Sequence, residues 1–134
     1  MHHAPLLTSL TDRQMTDFSR ILSAKTPLTL ASVARGSQPL VLADLARAST
    51  GRAVFIAPDD AAMRAVTDAA QFFAPELQVI EFPAWDCLPF DRLSPHADIS
   101  AARMAVLAGL AHCDQGGMPE RYILLTTLNA ATQK

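Results

Sequence analysis

What this sequence lacks narrows its function before any motif is found. Lysine occurs only at Lys25 and Lys134, so residues 26–133 offer no amine for a phosphate-binding loop or a Schiff base. Eleven Lys and Arg against 13 Asp and Glu leave a formal charge of -2 and no basic field to draw in nucleic acid, so strong DNA binding is not expected. Cys87 and Cys113 are the only cysteines, too few for a disulfide framework in a chain of this size. No C-x-x-C or H-x-x-x-H spacing supplies a metal site. No apolar run approaches the roughly 20 residues needed to cross a bilayer, so no membrane contact is expected. No charged-then-apolar leader opens the chain, which points to the cytoplasm.

What is present is the balance of a folded domain. Half of the 134 residues are hydrophobic and 18% are charged, enough for one core and too little chain for two. Leu10, Met15, Phe18, Ile21 and Leu22 recur at spacings near 3 and 4, predicting an amphipathic helix over residues 9–24. Pro27 breaks it, and the mostly apolar stretch 28–34 predicts a buried strand that turns at Arg35, Gly36 and Ser37. Pro39 suits the first turn of a helix running toward Gly51, where its missing N–H costs nothing. A second strand is expected over 53–57, and Asp59 and Asp60 are placed to cap a helix through Phe73. A third strand over 77–82 ends at Pro83, and a proline-punctuated segment follows. Ser94 and Pro95, or Asp98, then open a helix to about Ala111. A fourth strand over 122–128 leads to a helix start for which Asn129 is the candidate cap.

Apolar strands alternating with amphipathic helices define an α/β fold with three layers, a mainly parallel sheet flanked by helices. One α/β domain is expected over 1–134, with an N-terminal helical segment over 1–26 and a core over 27–134. It is expected to be cut short at its C-terminus.

In such folds nucleotide phosphates bind where a strand turns into a helix, because helix N-terminal amides point at the anion. The turn at Arg35, Gly36 and Ser37 is the first such place, yet it holds one glycine, no lysine and no following Ser or Thr, and Pro39 removes an amide. It is a degenerate phosphate loop at best. A small nucleotide-binding domain or enzyme using Arg35 and Ser37 is therefore the alternative reading, and no cofactor is expected. The densest polar cluster is Asp86, Cys87, Asp91, Ser94, His96 and Asp98. A Cys87–His96 dyad lacks any local mark of an activated thiolate, and Ser94, His96 and Asp98 lie too close in sequence to converge as a triad. Trp85 and Phe90 read as anchors pinning the loop to the core. No catalytic residue and no metal ligand is assigned.

One segment is more specific. Residues 82–99 resemble the stretch P-x-W-[DE]-x-L-P-[FY]-D-x-x-S-P-H-x-x-I near the N-terminus of bacterial transcription-repair coupling factors (Mfd). In the same order, 52–60 resembles that family's strand ending in A-P-D, 103–110 its following helix, and 123–133 its V-x-T-x-x-A-x-x-Q segment. The resemblance implies a UvrB-like module: a helicase-like α/β domain, similar to UvrB domain 1a, split by an inserted domain that contacts UvrA, with its ATPase motif lost. It implies that ATP and magnesium serve the full-length protein, a DNA translocase that displaces stalled RNA polymerase and recruits UvrA for excision repair. Other domains of the same protein would be this chain's immediate partners. Trp85, Phe90, Asp91, Ser94, Pro95 and His96 would form a structural or interdomain loop.

Overall fold

The structure is a computed structural model that describes residue 18 and residues 21–87 and 94–133. Of the helix expected over 9–24, Phe18, Ile21 and Leu22 are helical and the rest lies outside the described residues. A single 3-10 turn, Arg35–Ser37, leads into α1 (Gln38–Ala48). There follow β1 (Arg52–Ala57), α2 (Asp60–Phe73), β2 (Gln78–Phe82), α3 (Ala97–Ala111), β3 (Tyr122–Thr127) and the short α4 (Leu128–Thr132).

The three strands form one parallel sheet in the order β1-β3-β2. The last strand made is thus the central one, and all six of its residues are buried. Alternation along the strands divides the core in two. Ala53, Phe55 and Ala57 of β1, Val79 of β2 and Ile123 and Leu125 of β3 face α1 and α2, meeting Leu42, Ala43, Ala46, Met63, Val66 and Ala70. Burying a side chain such as Ile123 or Leu125 stabilises the fold by about 1.5–3 kcal/mol. Tyr122 and Leu124 point the other way and pack with Ile80, Phe82, Met118 and Val106 of α3. Helices on both faces give the expected α/β layering, with a small sheet.

The helix starts follow elementary capping chemistry. Asp59 accepts the Ala62 N–H at 2.7 Å and caps α2, with Asp60 in the first turn where the helix dipole favours a carboxylate. Pro39 sits buried in the first turn of α1. Two expectations about caps are corrected: His96 caps α3 in place of Ser94, Pro95 or Asp98, and Thr127 caps α4 in place of Asn129. At α4 the hydroxyl of the last strand residue already accepts the Ala130 N–H at 3.2 Å, so the helix begins two residues earlier than an asparagine cap at 129 would require.

The strand expected over 28–34 is absent. Ala31 and Ser32 form a turn, and Ser32 takes a left-handed φ of 62°, which interrupts any extended run. Leu28 and Leu30 are 54% and 42% exposed, and among the described residues β1 pairs only with β3, so the segment gains no ladder partner. Leu30 and Val33 instead line an apolar groove of about 220 Å³ with Val41, Leu45 and Phe55. Apolar content predicted burial in the sheet, whereas the segment lies over the side of α1.

Candidate interdomain site around Trp85

The densest arrangement of polar and aromatic groups in the described chain lies at the C-terminal end of β2. Pro83 lacks an N–H and ends the strand's pairing. Its carbonyl accepts a hydrogen bond from Nη1 of Arg103, two turns into α3, at 2.6 Å. The guanidinium carbon lies 4.2 Å from the centroid of the Phe82 ring and 4.4 Å from that of Trp85, so the cation is stacked against two aromatic faces. Arg103 is 3% exposed, its Nε has no hydrogen-bond partner among the described residues, and burial pushes its pKa below the ordinary arginine range.

Two further ties hold the loop. The backbone N–H of Trp85 donates to Oε1 of Gln133 at 2.8 Å, joining the loop to the residue that follows α4. The Asp86 carboxylate accepts the His96 N–H at 3.2 and 3.3 Å, while Nδ1 of His96 accepts the Asp98 N–H at 3.4 Å. His96 thus links the two ends of the loop and caps α3 with the same residue. Its ring also lies 3.5 Å from the Asp98 carboxylate, with both side chains well exposed.

Of the residues singled out in the sequence, Trp85, Asp86, His96 and Asp98 are brought into this arrangement. Ser94 is exposed and Pro95 half-buried beside it, and Phe90 and Asp91 lie outside the described residues. Arg35, Gly36 and Ser37 are exposed on their 3-10 turn, and Ser37 makes no side-chain cap bond to α1. Cys87 and Cys113 are free thiols. Among the described residues no group of three or more His, Cys, Asp or Glu is arranged to hold a metal. No described helix is long and apolar enough to cross a membrane.

Sequence reading missed two members, Arg103 and Gln133. A signal for Arg103 was present: it falls four residues after Ile99 and three before Val106, in line with the apolar face of α3. A charge in that position needs an acceptor, and the half-buried Pro83 supplies its carbonyl.

The fold and site define a small parallel α/β domain whose most elaborate feature is a clamped loop at the C-terminal edge of the sheet. Over 95 residues, 70% of this chain, the sequence is 30% identical to the transcription-repair-coupling factor of Escherichia coli (strain K12). The match supports a distant relation to transcription-repair coupling factors; the chain spans 8% of that relative's length. No family model matches the chain, and no solved structure gives a significant match.

Proposed function

We propose that this chain is a non-catalytic scaffold in a transcription-repair coupling protein, the first part of a UvrB-like, helicase-derived domain that an insert divides. The observation that carries the reading is the 95-residue match, within a sheet-and-helix order that suits such a domain. The exposed turn at Arg35, Gly36 and Ser37, without lysine and with Pro39 in the following helix, suits a module that has given up nucleotide. ATP and magnesium then belong to motor domains elsewhere in the full-length protein, which works in the cytoplasm. UvrA and RNA polymerase are met through that protein, and the Trp85 loop supports neighbouring domains.

The test uses the full-length polypeptide. Replacing Trp85 and His96 with alanine lowers UvrA recruitment by about tenfold or more while ATP turnover stays within about twofold. Loss of ATP turnover in a stably folded variant overturns the reading. So does saturable, magnesium-dependent micromolar binding of ATP by the 134-residue chain in calorimetry, which would restore Arg35 and Ser37 as a phosphate site.

A further inference from the structure

A histidine stands at each end of α3, and the two rings bond in opposite ways. At the start of the helix the Asp98 N–H donates to Nδ1 of His96 across 3.4 Å, which makes the ring the cap. An imidazole nitrogen accepts only while it carries no proton, so neutral His96 holds its hydrogen on Nε2. At the far end Nδ1 of His112 lies 2.9 Å from the Ala108 carbonyl oxygen. A carbonyl can only accept, so this Nδ1 carries the hydrogen. Both side chains are exposed and open to protons from solvent. His96 has a second partner within reach of the same atom: Oδ2 of Asp98 lies 3.5 Å from its Nδ1. One nitrogen cannot accept from the Asp98 amide and donate to the Asp98 carboxylate at once.

We infer that His96 is a proton-sensitive cap: when neutral it closes the first turn of α3, and when protonated its Nδ1–H turns to the Asp98 carboxylate and the cap bond is lost. His112 does not respond in kind, because its Nδ1 donates in the neutral ring and still donates in the cation. The helix dipole reinforces the contrast, since it disfavours a cation at the N-terminus and favours one at the C-terminus. Acid therefore loosens one end of α3 and leaves the other closed. Histidine is the side chain that ordinarily changes charge between about pH 5 and 8, so the cap is present at the upper end of that range and lost toward the lower. Among the described residues the charged groups that face His96 are the carboxylates of Asp86, on the loop leaving β2, and of Asp98. Asp114, in the 3-10 turn after α3, is the acidic residue nearest His112 in the sequence. Asp86 is bound by the backbone N–H of His96 and not by its ring, so that tie survives protonation. The stack of Arg103 on Trp85 does not involve the ring either. The change is thus confined to the turn in which Ser100 N–H bonds the His96 carbonyl, where the clamped loop enters the helix.

Nuclear magnetic resonance of the 134-residue chain tests it residue by residue. Above about pH 8, long-range proton–nitrogen spectra of the rings should place the hydrogen on Nε2 in His96 and on Nδ1 in His112. The same tautomer in both overturns the inference. Protection of the Asp98 amide against hydrogen exchange, corrected for the intrinsic effect of pH, should fall about fivefold between about pH 8 and pH 5, the loss expected of one helix cap. His96→Asn supplies a cap that does not titrate, and in that variant the protection should stay level. A fall that persists in His96→Asn overturns the inference, as does constant protection in the parent chain or a fall that begins only below about pH 5, where carboxylates titrate. His112→Asn should leave the response at Asp98 intact, and its disappearance there would place the sensor at the wrong end of the helix. Should His96→Asn not fold, the ring tautomers and the Asp98 response of the parent chain decide the matter.

Discussion

Arg103 and Trp85 are stacked, with the guanidinium carbon 4.4 Å from the ring centroid, although 18 positions of sequence separate them. The contact joins α3 to the loop leaving β2, and the same guanidinium carbon lies 4.2 Å from the centroid of the Phe82 ring. Replacing Arg103 with alanine leaves the Pro83 carbonyl without its donor and a void beside the Phe82 and Trp85 rings. The expected cost is about 2–4 kcal/mol, from a part-buried acceptor left without its donor and a cavity beside two half-buried rings. Arg103→Lys keeps the charge but not the planar stack, and should recover less than half of that loss. Denaturant unfolding measures both, and Trp85, the sole tryptophan, reports release of the loop by a red-shifted emission.

A pH dependence follows from Arg47. Its Nε donates to Glu76 at 2.6 Å, Nη1 to Asp44 at 3.0 Å and Nη2 to the Phe73 carbonyl at 2.7 Å, which pins the end of α2 to α1. The hydrogen bond from Arg47 holds the Glu76 carboxyl below its usual range. A lowered carboxylate pKa contributes stability that is present above the unfolded value, near 4.3, and is lost as pH falls through the folded value. Both side chains are about a third exposed, so solvent screening limits the contribution to about 1 kcal/mol or less. Thermal melts of Glu76→Gln and the parent chain should differ at pH 7 and converge as pH falls through the lowered value of Glu76; a constant difference would count against the pairing.

Helix caps offer a cleaner energetic comparison. Asp59→Ala removes one exposed cap bond and should cost about 1 kcal/mol. Thr127→Val keeps the shape of a side chain 2% exposed but strips the hydroxyl from the Ala130 N–H in a buried setting. Its cost should be the larger, about 1–3 kcal/mol, because that amide has no water to turn to. Chemical denaturation of the two single variants decides the order.

Gly109 is required by contact. A Cβ there would lie 2.8 Å from the Gly117 carbonyl oxygen and 2.7 Å from the Met118 sulfur. The methionine end can move but the backbone oxygen cannot, so Gly109→Ala should destabilise by about 1–3 kcal/mol despite alanine's better helix propensity. An unchanged thermal midpoint would contradict this packing.

Most of the fold was legible because periodicity and capping act locally. Three of the four expected strands and the helices between them stand close to their expected bounds, and Asp59 caps as its position implied. The failure over 28–34 has a non-local cause: a short apolar run is a strand only if an edge accepts it, and no local feature says whether one is offered. The site was half legible. Trp85 and His96 stand out as residue types, but Gln133 acts through a single hydrogen bond that crosses 48 positions. Arg103 was readable only as a charge on an apolar stripe.

The strand order also has a consequence for synthesis. β1 and β2 do not pair with each other; among the described residues each bonds only to β3, which leaves the ribosome after both. Until residues 122–127 emerge, the nascent chain can make helices but not one rung of its sheet, and every rung then closes a long loop. Two apolar strands wait exposed for that interval, so assembly should be slow for a domain of this size and vulnerable to aggregation in a way its finished structure does not display.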